Sequence, residues 1–69
     1  MVEYFVRLNR EFVIQYREFC TRHGLEPVFL SSGFIGSHVN TVLFKSTMAK
    51  ADVTALKLAI PVIIMETQS

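Results

Sequence analysis

The spacing of the apolar residues changes from every second position to helical spacing within the first 23 residues. This change constrains the fold more than any other feature of the sequence. Apolar side chains occupy every second position from Val2 to Leu8, which predicts a β-strand with Phe5 as the one apolar residue on its second face. From Arg10 the apolar residues recur at helical spacing. Their stripe consists of Phe12, Val13, Tyr16, Phe19 and Cys20. The chain is therefore predicted to begin with a strand followed by an amphipathic helix.

Polar and glycine residues mark both ends of this helix. Asn9 is predicted to cap its first turn through the side chain. Gly24 is predicted to end it as a left-handed residue, with Leu25 folding back as the hydrophobic partner. An alternative is one long helix over 2–23, because Phe5, Leu8 and Phe12 also fit helical spacing.

The segment after Pro27 predicts a β-hairpin. A strand beginning at a proline, Val28–Leu30, is followed by the turn-rich residues 31–37 and by a returning strand, His38–Lys45.

A second helix and a last strand complete the chain. Ser46 or Thr47 is predicted to cap the helix, and Pro61 to end it, because the residue before a proline is pushed out of the helical region. The apolar face of this helix comprises Val53, Leu56 and Ile60. The final strand is predicted over Val62–Met65.

The predicted order is β-α-β-β-α-β. With right-handed crossovers, this order gives a four-stranded antiparallel sheet with both helices on one face, the ferredoxin-like arrangement of the α+β class. We expect residues 1–69 to form one small domain.

The apolar content exceeds what such a domain can enclose. Hydrophobic residues make up 51% of the 69 residues, and a chain this short has little interior. Two strands are apolar on both faces, whereas a sheet wetted on one side should alternate. We therefore expect a homodimer, formed through the open sheet face or the edge of the last strand. The predicted protein-interaction residues are Phe5, Phe34, Ile35, Val42, Phe44, Ile63 and Met65.

Neither a membrane span nor a secretory leader is predicted. The longest apolar run, Ala59–Met65, is much shorter than the roughly 20 residues that cross a bilayer, and Glu3 and Arg7 interrupt the N-terminal apolar residues. The single cysteine, Cys20, excludes an internal disulfide and is typical of a reducing compartment. We expect a cytoplasmic protein.

A nucleic-acid partner is an alternative. The net charge of +1 gives no broad basic footprint, but Phe5 with Arg7 and Lys45 would allow base stacking on the sheet. Gly33 and Gly36 have the glycine-x-x-glycine spacing of KH modules, which grip the nucleic-acid backbone. Because the KH loop joins two helices and this one joins predicted strands, the match does not carry the function, and Phe34 and Ile35 favour contact with a protein.

Metal, cofactor and catalytic sites are not predicted. Cys20 and His23 are three residues apart, but a structural zinc site needs four ligands and His38 alone remains. The acidic residues are scattered, and no glycine-rich phosphate loop or nucleophile elbow occurs. A small ferredoxin-like enzyme that uses His38 is a second alternative by fold analogy only.

These patterns predict a non-enzymatic interaction protein. We expect a homodimer that binds a larger protein and inhibits or regulates it, as small bacterial or phage regulators do. The nucleic-acid alternative is an antitoxin-like module that acts on RNA.

Overall fold

The computed structural model describes residues 1–35 and 38–67, which form an α+β fold. Its elements are β1 (Val2–Asn9), α1 (Val13–Arg22), β2 (Val28–Ile35), β3 (His38–Met48), α2 (Lys50–Ala59) and β4 (Ile63–Glu66). A 3-10 turn, Arg10–Phe12, leads from β1 into α1.

The strands form one sheet in the order β2-β3-β1-β4. In this order β1 and β3 are central, and β2 and β4 are the edges. Every neighbouring pair is antiparallel. The predicted α+β class, with a four-stranded antiparallel sheet and two helices, is confirmed.

The core lies between one face of this sheet and the two helices. Buried side chains of β1 and β3 form one hydrophobic cluster with those of α1 and α2, so both helices cover the same face. The strands contribute Tyr4, Val6, Leu8, Val42, Phe44 and Met48, and the helices contribute Tyr16, Phe19, Cys20, Leu56 and Ile60. The predicted apolar stripe of α1 is confirmed, since its members are buried or packed against this cluster.

The C-terminus of α1 has the predicted geometry. Gly24 has φ +67°, the left-handed conformation that glycine adopts without steric cost. The Leu25 amide donates to the Cys20 carbonyl at 2.8 Å, and the Gly24 amide donates to the Thr21 carbonyl at 3.3 Å. This pair of bonds is a Schellman motif. Leu25 is buried, as expected of the hydrophobic partner.

The second helix also follows its pattern. Leu56 and Ile60 are buried, and Val53 packs against the same cluster. α2 ends at Ala59, and Pro61 directly follows its C-cap residue Ile60, which has extended backbone. Among the described residues, no helix combines the length and apolar character needed to cross a bilayer.

Two predictions for the N-terminal half are wrong. The long helix over 2–23 does not form, because β1 is paired with β3 on one side and β4 on the other. The Asn9 side chain makes no capping hydrogen bond. Asn9 does occupy the N-cap position of the 3-10 turn, and it is also the last residue of β1, where it is paired with Thr41.

The hairpin strands are longer than predicted. β2 continues to Ile35 through the serine-rich segment that was expected to be a turn. Register shifts between Phe29 and Ser31, and again after Gly33, accommodate this segment in the sheet. At Gly33 a Cβ would contact the Thr41 hydroxyl, so a glycine allows the two strands to approach closely.

The capping prediction for α2 is also wrong. Ser46 and Thr47 belong to β3, and the N-cap residue is Ala49, which provides no side-chain bond. Tyr4 is paired with Ser46, and Val2 with Met48. Pairing along the full length of β1 therefore outweighs the local preference of serine and threonine for caps. The last strand is Ile63–Glu66, one residue later than predicted.

The left-handed residue after α1 gives a direct test of this fold. Replacing Gly24→Ala should lower the free energy of unfolding by about 1 kcal/mol, because a Cβ is strained at positive φ. The Gly24→Asn variant should lose less, since asparagine tolerates this region better. Urea denaturation measures both. Equal stability of Gly24→Ala and the wild type would contradict the motif.

Candidate protein-interaction surface

The sheet face opposite the helices, termed here the outer face, is built by strand register. Two rows of side chains cross it from β2 to β4. The first row is Val28, Lys45, Phe5 and Met65. The second row is Ser31, Leu43, Arg7 and Ile63. Each row combines apolar side chains with one cation.

Much of this apolar surface is open to solvent. Ile63 is 59% exposed, Val28 is 54% exposed and Met65 is 49% exposed. Phe5 and Leu43, at the centre, are half-buried by their neighbours. Because both described helices pack on the other face, these side chains form an apolar patch that the described part of the chain leaves uncovered.

Two cations lie within the patch. The Lys45 ammonium is 3.8 Å from the Glu3 carboxylate, and both side chains are well exposed, so this pair contributes little to stability. Arg7 lies between Leu43 and Ile63 and makes no ion pair with any described residue. The guanidinium of Arg7 is therefore a positive charge on the outer face that no described carboxylate pairs.

A shallow pocket lies beside Arg7. Its volume is about 300 Å³, and its lining includes Thr41 and the segment Pro61–Ile63 that leads into β4. Apolar and polar groups therefore meet at this end of the outer face, where an arginine borders a recess.

The predicted interaction residues divide between the two faces. Phe5, Ile63 and Met65 lie together on the outer face, as do Arg7 and Lys45 of the nucleic-acid alternative.

The placement of Val42 and Phe44 on an interaction surface is wrong. Their exposed fractions are 8% and 1%, because they lie opposite Leu8 and Val6 on the face that the helices cover. The Phe44 ring packs 4.9 Å from the Tyr16 ring, centroid to centroid.

The predicted contact role of the hairpin tip stays a prediction. Phe34 and Ile35 end β2, but their side chains lie outside the described part of the structure, as does Gly36. The imidazole of His38, on which the enzyme alternative depends, also lies outside it.

Two residues of the outer face were missed by sequence reasoning. Val28 and Leu43 belong to it because β2 pairs with β3 and β3 with β1. The sequence shows that Leu43 and Phe44 lie on opposite faces of the strand. It does not show which of these two side chains points to the core.

Cys20 of α1 and His23, its C-cap residue, both make contacts within the fold. Cys20 is buried, and its burial raises the pKa of the thiol. The His23 ring stacks on Phe19, and its Nδ1 lies 3.1 Å from a carboxylate oxygen of Asp52, which links the end of α1 to the first turn of α2. Among the described residues, no three histidine, cysteine or acidic side chains cluster as a metal site would require.

The buried hydroxyls are chemically quiet. Burial raises the pKa of Tyr16 far above its ordinary value, so the phenol stays neutral. The Tyr16 and Ser46 hydroxyls are buried without a hydrogen-bond partner among the described residues. These two hydroxyls therefore belong to the packed interior between the sheet and the helices.

No protein-family model, curated protein or solved structure matches the chain.

The assignment of faces predicts opposite responses at two adjacent residues. Phe44→Ala should lower the free energy of unfolding by about 3–5 kcal/mol, because it leaves a cavity beneath α1. Leu43→Ala should cost less than half as much, because Leu43 is only half-buried on the outer face. Chemical denaturation of both variants measures the difference. The reverse order would show that β3 faces the other way.

Proposed function

We propose that this chain is a small, non-enzymatic interaction protein that forms a homodimer and uses its outer face to bind and regulate a larger protein. The observation that carries the proposal is the uncovered apolar patch of Val28, Ile63 and Met65 around Phe5 and Leu43.

A ferredoxin-like assignment of the fold is part of this proposal. Counted from the other edge, the strand order is β4-β1-β3-β2, and each helix connects two strands that are not adjacent in the sheet. This order supports two split β-α-β units in one sheet.

An interface of standard size would cover a sizeable part of this chain. A standard interface removes about 800 Å² from each partner, which is about one sixth of the 4772 Å² of this chain. Contact of this extent with apolar side chains gives a gross gain on the order of 20 kcal/mol, larger than the roughly 4–15 kcal/mol that association costs.

The charges on the outer face define the chemistry of the partner. Arg7 lies beside Leu43 and Ile63 without an acidic group of its own among the described residues. A partner with an apolar patch and an adjacent carboxylate would fill the face and pair with the guanidinium. The proposed location of this interaction is the cytoplasm, since the chain's only cysteine is unpaired.

Matched polar substitutions on opposite sides of the molecule test this role. Leu43→Ser removes apolar area from the centre of the outer face, whereas Ile14→Ser makes the same kind of change on the solvent side of α1, where Ile14 is 72% exposed. We expect a partner captured from the native host to be lost with Leu43→Ser and retained with Ile14→Ser. Thermal denaturation of both variants controls for folding. Equal capture by both would exclude the outer face as the binding site.

The nucleic-acid alternative is favoured by one observation. Phe5 lies next to Lys45 on the outer face, and Arg7 is two residues away on the same strand face, so an aromatic ring is bordered by two cations as in base-stacking platforms.

Salt dependence separates the two candidates. For the protein-binding role we expect no retention on single-stranded RNA or heparin at physiological salt. Retention that falls steeply with salt and is lost in Arg7→Ala would favour the nucleic-acid role instead. Lys57→Ala, on α2, is the control for net charge.

A further inference from the structure

The two edges of the sheet differ in their capacity to pair with another strand. β2 has register shifts after Phe29 and after Gly33, and such irregularities interrupt the regular row of backbone groups that a new strand would need. β4 pairs with β1 over Ile63–Glu66 in unbroken register. It carries neither a lysine nor a proline, and two of its four side chains are exposed and apolar. β4 is therefore the edge open to strand addition.

The hydrogen-bond phase of β4 follows from one bond at its end. The Thr67 amide donates to the Glu3 carbonyl at 3.0 Å, which continues the register in which Tyr4 is paired with Glu66. In an antiparallel pair, bonded and non-bonded residues alternate. Residues 63, 65 and 67 therefore bond to β1, and the amides and carbonyls of Val62, Ile64 and Glu66 point to the free edge.

We infer that a second copy of the chain pairs antiparallel with this edge, about a twofold axis at Ile64. This inference rests on the proposed homodimer and specifies its interface. Ile64 would exchange both backbone bonds with the partner's Ile64, and Val62 would do so with the partner's Glu66. Every backbone group that points from Val62–Glu66 to the free edge is then bonded.

Other symmetric registers are poorer. With a twofold axis between two adjacent residues, each residue whose amide and carbonyl point to the free edge would lie opposite one whose groups point to β1. No bonded pair would then form. An axis at Ile63 or Met65 leaves one end of the edge unpaired. The register centred on Ile64 is the one in which the edge of β4 is fully self-complementary.

The same register matches the exposed side chains. Ile63 would lie opposite the partner's Met65 in a non-bonded pair, where side chains approach most closely. Both side chains project from the outer face, and they are 59% and 49% exposed in the single chain. Their contact would join the outer faces of two copies into one eight-stranded surface, with the patch continuous across the axis.

Matched lysine substitutions at the two edges test this interface. Ile63→Lys and Val28→Lys make the same change on the outer face, at residues with similar exposure of 59% and 54%, one on β4 and one on β2. In sedimentation experiments over a range of concentrations, Ile63→Lys should raise the dimer dissociation constant at least about tenfold, because lysine on an edge opposes strand addition. Val28→Lys should leave the dissociation constant unchanged.

Disulfide formation tests the register. A mixture of Ile63→Cys chains and Met65→Cys chains should form a cross-linked heterodimer under mild oxidation, because cross-strand non-bonded pairs approach within disulfide distance. Each variant alone should cross-link less, and the wild type should show the background from buried Cys20.

The outcomes separate this inference from the proposed function. A wild-type chain that stays monomeric at every concentration overturns the proposed homodimer as well as its interface. The β4 interface is overturned if Val28→Lys dissociates the dimer and Ile63→Lys does not. It is also overturned if the two substitutions weaken the dimer to the same extent. Self-association itself stands in both cases. Preferential cross-linking of Ile63→Cys or Met65→Cys chains with themselves overturns the register alone.

Discussion

The antiparallel pairing of β1 with β3 determines both surfaces of the sheet. Its register places Val6 opposite Phe44 and Leu8 opposite Val42, so these four side chains meet the helices. Because side chains alternate along a strand, the same register sends their neighbours to the outer face. A shift by one residue would exchange the two sets and expose the core. The hydrophobic core and the candidate interaction surface are thus two consequences of one strand pairing.

Features that depend on local physics could be predicted from the sequence. The alternation of β1, the apolar stripe of α1 and the left-handed Gly24 each arise within a few neighbouring residues, and the structure contains all three. The inward face of β3 could not be predicted in this way. Leu43 and Phe44 are adjacent and both apolar, and only pairing with a distant strand decides which one is buried. Polar Ser46 on the buried face weakened the periodic signal further.

Element boundaries depended on the same long-range pairing. Serine and threonine favour turns and caps when only local preferences act, yet residues 31–32 and 46–47 all lie in strands. In the candidate site, Phe5 and Met65 were predictable as outward residues of apolar strands. The pairing of these two residues across β1 and β4, and the position of Arg7 between Leu43 and Ile63, required the strand order, which no single strand encodes.

The difference between the edges also bears on how many copies can associate. A free strand edge with exposed apolar side chains invites unlimited pairing, which proteins limit by shortening or distorting edges. Here one edge is short and regular, with four residues in β4, and the other is longer but irregular. Twofold pairing through β4 would use the regular edge of both copies, so the eight-stranded sheet would end in an irregular β2 on each side. Such an interface would be closed by its own symmetry, so association would stop at two copies and no fibre would grow.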